Sequence, residues 1–212
     1  MRQRKVKNLA ERLAEHHQYL IEDPRDRKGK WQQVFKKRNK IFAELGCGRG
    51  QFIMTLAEQN PDRNYIAVEG RGSIILRALE KATRVGLDNI VFVKEYVNDV
   101  NEYFDEDELT GIYLNFCDPW PRNGHAKRRL THGRYLNGYR HILKEGCCIE
   151  FKTDNDGLFV FAKSEFEDSG MMLLKSTEDL HNTEFDAKKV TTEYEDNFKA
   201  EGKKIKYCKV QV

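Results

Sequence analysis

The residues best suited to chemistry stand together at 115–122: Asn115-Phe116-Cys117-Asp118-Pro119-Trp120-Pro121-Arg122. They follow an apolar run, Gly111-Ile112-Tyr113-Leu114, that reads as a buried strand. Proline fixes φ and offers no N–H to a ladder, so strand pairing should stop at Asp118. A stiff loop with one carboxylate and one large aromatic at a strand's C-terminal end can hold a planar base. The same residues would also serve as a plain turn. Trp120 can stack on a ligand or fill a core, and nothing local chooses between the two.

A second group lies upstream. Ile41-Phe42-Ala43-Glu44-Leu45 is strand-like and runs into Gly46-Cys47-Gly48-Arg49-Gly50, after which Phe52, Ile53, Leu56 and Ala57 have helical spacing. Glycines between a strand and a helix permit a tight turn and a close approach of backbone to ligand. The next strand-like run, Tyr65-Ile66-Ala67-Val68, ends in Glu69. That is roughly 20 residues on, where a dinucleotide-type fold places the acid that binds ribose hydroxyls. The spacing is G-x-G-x-G, and Glu44 stands before the first glycine. A carboxylate there repels a pyrophosphate but suits a ligand carrying an ammonium and a sulfonium. On charge, S-adenosylmethionine fits better than a nicotinamide dinucleotide.

The elements that must carry these groups alternate. Helical spacing over Val6–Ile21 predicts an amphipathic N-terminal helix, stopped at Asp23-Pro24. After Glu69, a helix is expected over Ser73–Val85, a strand over Ile90–Val93 and a short helix over Val97–Phe104. A helix around Arg134–Leu143, a strand Ile149–Thr153 ending at Asp154, and a helix Leu158–Phe166 follow. Met171–Leu174 and Ile205–Val210 read as late strands able to pair. Strict β/α alternation implies a parallel sheet with helices on both faces, and ligands at its C-terminal strand ends. Glu44, Glu69, Asp118 and Asp154 would then share one rim.

The 212 residues suit one domain, 1–212, with a basic N-terminal helical extension over about 1–35. A hydrophobic content of 39% and no apolar run near the roughly 18 residues needed to span a bilayer predict no membrane partner. Five cysteines without a C-x-x-C pair argue against a disulfide framework or a zinc site and for a cytoplasmic location. Six histidines without metal-ligand spacing imply no metal. Cys117 beside Asp118 invites a nucleophilic reading, but it and Cys47 read better as small fillers in tight loops. The net charge is only +3. Cations nevertheless collect at Arg2, Arg4, Lys5 and Lys7, at Lys36, Lys37, Arg38 and Lys40, and at Lys127, Arg128 and Arg129. The last run follows the Asp118 loop and suits phosphate; the Lys36–Lys40 run reads equally well as a solvated face.

Glu44-Leu45-Gly46-Cys47-Gly48-Arg49-Gly50, the Asn115–Pro121 loop, Lys127-Arg128-Arg129-Leu130, Phe151-Lys152-Thr153-Asp154-Asn155 and Thr192-Glu193-Tyr194-Glu195 occur in one order. In that order they resemble bacterial tRNA (guanine-N7-)-methyltransferases over essentially the whole chain. The resemblance implies a Rossmann-like class I methyltransferase fold: α/β, a seven-stranded, mostly parallel sheet with helices on both faces, in strand order 3-2-1-4-5-7-6. It implies S-adenosyl-L-methionine as cofactor, tRNA as partner, and methylation of the guanine at position 46 of the variable loop. Relatives occur as monomers and homodimers, and nothing in the chain chooses.

Residue by residue, the resemblance puts Glu44, Gly46, Gly48, Gly50, Glu69, Tyr96 and Asp118 on the cofactor side, with Asp118 also catalytic. It puts Arg122, His125, Lys127, Arg128, Arg129, Asp154, Thr192, Glu193, Tyr194 and Glu195 on the substrate side. Two positions depart from the family pattern. Tyr96 replaces a usual acid; it either stacks on adenine or offers only backbone, with Asn98 or Asp99 supplying a polar group. Arg122 replaces a usual lysine and brings a wider, bidentate donor. Two other readings are a small-molecule methyltransferase and a non-catalytic RNA-binding module. The basic loop speaks against the first and the intact acids against the second.

Overall fold

The structure, a computed structural model, describes residues 6–212, so Arg2, Arg4 and Lys5 of the first cationic cluster lie outside the described residues. The strands are β1 (Leu20–Ile21), β2 (Lys40–Leu45), β3 (Arg63–Val68), β4 (Ile90–Val93), β5 (Leu109–Asn115), β6 (Leu143–Thr153), β7 (Met172–Thr177) and β8 (Lys206–Gln211). The helices are α1 (Leu9–Ala14), α2 (Gln51–Gln59), α3 (Gly72–Val85), α4 (Gly133–Ile142), α5 (Asp156–Asp168) and α6 (Glu193–Ala200). The sheet order is β1-β4-β3-β2-β5-β6-β8-β7. All pairings from β1 through β6 are parallel, while β8 runs antiparallel to both β6 and β7.

Counted from β2, this is the order 3-2-1-4-5-7-6 that the family resemblance implies, with one strand more. The extra strand is the two-residue β1, which joins the β4 edge at Leu20↔Phe92 and Ile21↔Val93. It also corrects the expected helix over Val6–Ile21, of which only Leu9–Ala14 is helical. Asn8 caps the helix in a left-handed conformation without a side-chain bond, and the chain turns at His16–Tyr19 to reach the sheet. Open backbone on the β4 edge thus outcompetes a weak helical periodicity. The short helix expected over Val97–Phe104 is a 3-10 turn at Val100–Glu102, begun by Asp99, whose side chain accepts the Asn101 N–H. An aspartate that bonds its own backbone this way favours a turn over a continuing helix.

Both faces of the sheet are covered, which is why the parallel strands read as near-continuous apolar runs. On β3, Tyr65 and Ala67 belong to the apolar cluster that holds Phe52, Ile53 and Ile75 of α2 and α3, while Ile66 and Val68 belong to the cluster on the other face, with Leu136 of α4 and Phe159 of α5. Every parallel strand therefore points its C-terminal end to the same rim. Lys40 opens β2, so the Lys36–Lys40 run sits at the opposite end of the sheet, where Lys36 pairs with Asp88 at 3.5 Å. No helix among the described residues is long and apolar enough to cross a membrane.

Candidate functional site

At the strand-end rim lies a cleft of ≈ 1010 Å³, and Glu44, Glu69, Asp118 and Asp154 all line it. The glycine loop forms one wall. Gly46, Gly48 and Gly50 have φ of 89°, 57° and 76°, and the Gly46 and Cys47 N–H groups both donate to the Val68 carbonyl. A Cβ added at Gly48 would meet nothing within 4 Å, so backbone conformation and not crowding requires glycine there; at Gly50 it would come 3.0 Å from Ala78 Cβ.

The two acids beside that loop differ. Glu69 is held by backbone: Gly48 N–H donates to its Oε2 (3.2 Å) and Arg71 N–H to its Oε1 (2.8 Å). Glu44 is buried, at 1% exposure. Asn115 Nδ2 donates to its Oε1 at 2.8 Å, and its Oε2 is buried with no hydrogen-bond partner. Burial pushes the Glu44 carboxyl up to about 7, against the opposing pull of the Asn115 bond and the Lys152 charge. Tyr96 closes this side. It is exposed, and its ring lies so close over Gly70 that a Cβ there would come within 2.4 Å of it. Asn98 joins the lining, whereas Asp99 is spent on its turn.

The Asp118 loop is built on strain. Phe116 and Trp120 both take positive φ, 50° and 42°, on either side of Asp118. Left-handed geometry costs a non-glycine residue on the order of 1–3 kcal/mol and persists only where the surroundings hold it. Here Arg129 holds it, donating from Nε to the Pro119 carbonyl (3.0 Å) and from Nη2 to the Trp120 carbonyl (3.1 Å), with its guanidinium over the Phe161 ring. Arg128 stacks on Trp120 at 4.9 Å, and His125 meets that ring edge-on. Arg122 caps the 3-10 turn Asn123–Arg128, on which Arg122 and Lys127 are exposed. Burial pushes the Cys117 thiol up to about 12, away from the thiolate that a nucleophile needs.

The Thr192–Glu195 motif opens α6 as a set of alternating contacts. Thr192 is the N-cap, its Oγ1 accepting the Glu195 N–H at 2.9 Å. Glu193 pairs with Lys81 of α3 (2.7 Å) and Arg49 of the glycine loop (3.3 Å). Tyr194 is exposed on the cleft wall and forms an aromatic trio with Phe116 and Phe198 at centroid distances of 5.9–6.4 Å. Glu195 turns inward, fully buried against Lys152 of β6 at 3.0 Å.

The structure therefore gathers Glu44, Gly46, Gly48, Gly50, Glu69, Tyr96, Asp118, Arg128, Asp154, Thr192, Glu193 and Tyr194 around one cleft. It places Arg122, His125, Lys127, Arg129 and Glu195 off the cleft wall. Asn115 and Lys152 lie inside the motifs that carry the family resemblance, yet only their partners reveal what they do. Phe198 belongs to no motif, and no sequence signal points to it.

Comparison with known proteins agrees with this geometry. Residues 38–208 match the family described as "Putative methyltransferase". The chain is 44% identical over 212 residues to the tRNA (guanine-N(7)-)-methyltransferase of Clostridioides difficile, covering 100% of this chain and 99% of that one. It is 43% identical to the protein of the same name from Oceanobacillus iheyensis, covering 99% and 98%. Among solved structures, the 16S rRNA methyltransferase KamB superposes with a TM-score of 0.65 at 12% identity, covering 87% of this chain and 93% of that one. A SAM-dependent methyltransferase from Aquifex aeolicus does so with a TM-score of 0.58 at 12% identity, covering 98% and 100%, a likeness of fold. The identity shared over whole chains, together with the strand-end cleft, assigns this chain to the tRNA (guanine-N(7)-)-methyltransferase family.

Proposed function

We propose that the protein methylates N7 of a guanine in tRNA, the one at position 46 of the variable loop, using S-adenosylmethionine. The observation that carries this reading is the convergence of four strand-end acids on one cleft whose rim bears a strained aromatic loop and an exposed cationic turn.

The cofactor side fits such a ligand. Glu44 presents a buried oxygen with no partner, suited to an ammonium, and Glu69 is preoriented by two backbone N–H groups to accept from ribose hydroxyls. The space over Gly46 and Gly48 lets the ligand approach the backbone, and Tyr96 offers a ring face beside Gly70. When bound, S-adenosylmethionine supplies an electrophilic methyl on a positively charged sulfur.

Guanine N7 already has a lone pair directed outward, so no proton has to leave before attack. The protein's work is therefore mainly positioning. Asp118, with Asp154 beyond the end of the neighbouring strand, would accept from the guanine N1–H and exocyclic amine and stabilise positive charge that develops on the ring. The Phe116–Tyr194–Phe198 trio provides a stacking wall for the base. Drawing a base out of tRNA structure costs a few kcal/mol, which phosphate contacts from Arg122, Lys127 and Arg128 would offset. A tRNA substrate and five free cysteines suit a cytoplasmic location.

The test is transfer of labelled methyl from S-adenosylmethionine to unmodified tRNA, followed by nucleoside analysis. Label in 7-methylguanosine is expected. Label in any other nucleoside, or none from a preparation that binds the cofactor, would overturn the assignment.

A further inference from the structure

We propose that Lys152 is a positioning residue: it anchors α6 to the sheet and so sets the aromatic wall against which the base is presented. The inference rests on the substrate reading above and deepens it.

Lys152 sits near the C-terminal end of β6, opposite Asn115 of β5 in register. Its side chain is 2% exposed and that of Glu195 is 0% exposed. An ammonium so placed needs all three of its donors satisfied. Lys152 Nζ donates to Glu195 Oε2 (3.0 Å), to Glu195 Oε1 (3.3 Å) and to the Val190 carbonyl (2.8 Å), and lies 5.3 Å from the Phe52 ring. His181 Nε2 also lies 3.1 Å from Glu195 Oε1. One cation thus grips the chain at two points, just before the Thr192 cap and inside the first turn of α6.

Those two points determine what the neighbouring residues do. Tyr194 directly precedes Glu195, and Phe198 is one turn further along, on the cleft wall. Without the grip, a helix of eight residues lies at a rim where Glu193 and Gln51 provide only partly exposed ties. A buried ion pair adds little net stability over apolar residues of equal volume. What apolar residues cannot replace is the directional hold on the Val190 carbonyl and the Glu195 carboxylate. The same seam continues toward the cofactor side, since Asn115, opposite Lys152, donates to Glu44.

The full-length protein and Lys152→Met are compared by hydrogen exchange and by steady-state methyl transfer, at a temperature where both are folded by circular dichroism. Amides of residues 192–200 should exchange at least about tenfold faster in the variant, with those of β3 unchanged. In parallel, kcat/KM for tRNA should fall at least about tenfold. Unchanged exchange in α6 overturns the proposal, even if transfer falls, because the loss then reflects direct contact or weaker cofactor binding. Faster exchange with kcat/KM within about threefold of wild type overturns it too, because the anchor then does not position the base. If Lys152→Met does not fold, Glu195→Gln, which keeps shape and leaves Lys152 its Val190 partner, is judged the same way at a threshold of about threefold. Wild-type protein that fails to methylate tRNA would sink the substrate reading alone, and the exchange arm would still decide the anchor.

Discussion

The two halves of the cleft are built by different means. The proposed cofactor half comes mostly from consecutive regular elements, β2–α2–β3–α3–β4, and much of it is fixed by backbone: Glu69 by the N–H groups of Gly48 and Arg71, the glycine loop by the Val68 carbonyl, while Glu44 is tied to a side chain, Asn115. The proposed substrate half comes from a strained loop, a 3-10 turn and a short helix inserted between β7 and β8. Its geometry rests on side chains from elsewhere, with Arg129 clasping the Asp118 loop and Lys152 clasping α6. Backbone-built sites change little with side-chain substitution, whereas a clasped site fails one clasp at a time. This division suits a common cofactor grip and a substrate grip specific to one RNA.

The largest expected effect asks how much of the work of Asp118 is chemistry and how much is the cofactor contact that the family resemblance also implies. Asp118→Ala should lower methyl transfer by two to three orders of magnitude, with cofactor affinity changing less than about threefold in calorimetry. Loss of cofactor binding of equal size would move Asp118 to the other half. The converse variant, Glu69→Ala, should weaken S-adenosylmethionine by roughly 10–100-fold while tRNA affinity, measured without cofactor, stays the same. A fall in tRNA affinity there would mean the halves are not separable.

Cations of the substrate half divide in the same way. Lys127→Ala with Arg128→Ala should weaken tRNA binding and make the log–log salt slope shallower by about two. Arg129→Ala should leave that slope unchanged and lower kcat, because Arg129 is committed to two loop carbonyls. Filter binding at several salt concentrations separates the two outcomes.

The last effect is on stability instead of binding or transfer and concerns Glu44, whose carboxyl is raised from 4.5 to about 7 by burial. The folded protein then binds a proton that the unfolded chain releases, so stability contributed below pH 4.5 is lost as pH rises toward 7. The loss is at most roughly 3 kcal/mol. Thermal melts of cofactor-free protein between pH about 5 and about 8 should show this decline, and Glu44→Gln should flatten it. A ligand ammonium at Glu44 needs the carboxylate, so cofactor affinity should strengthen over the same rise.

The contrast between the halves also explains what was legible in the sequence. Strand, glycine turn, helix and strand-end acid are local patterns, and Glu44, the glycines and Glu69 stand in the structure where those patterns place them. The Asp118 loop was legible as a stiff turn because its prolines are local too. Arg129 was not legible as a clasp, since it reads as one more phosphate-binding cation until its carbonyl partners are seen. Glu195 shows the same limit, because its partner Lys152 lies 43 residues away and nothing in the spacing joins them. The N-terminal helix is shorter than its apolar spacing predicts, because that spacing carries no trace of the open β4 edge that draws Leu20–Ile21 into a strand.

The most direct test of the central claim uses two unmodified tRNA transcripts side by side, one with guanine and one with adenine at position 46, and labelled S-adenosylmethionine. The account predicts label only in the guanine transcript, recovered as 7-methylguanosine and lost with Asp118→Ala. Equal labelling of both transcripts would contradict the placement of the target base.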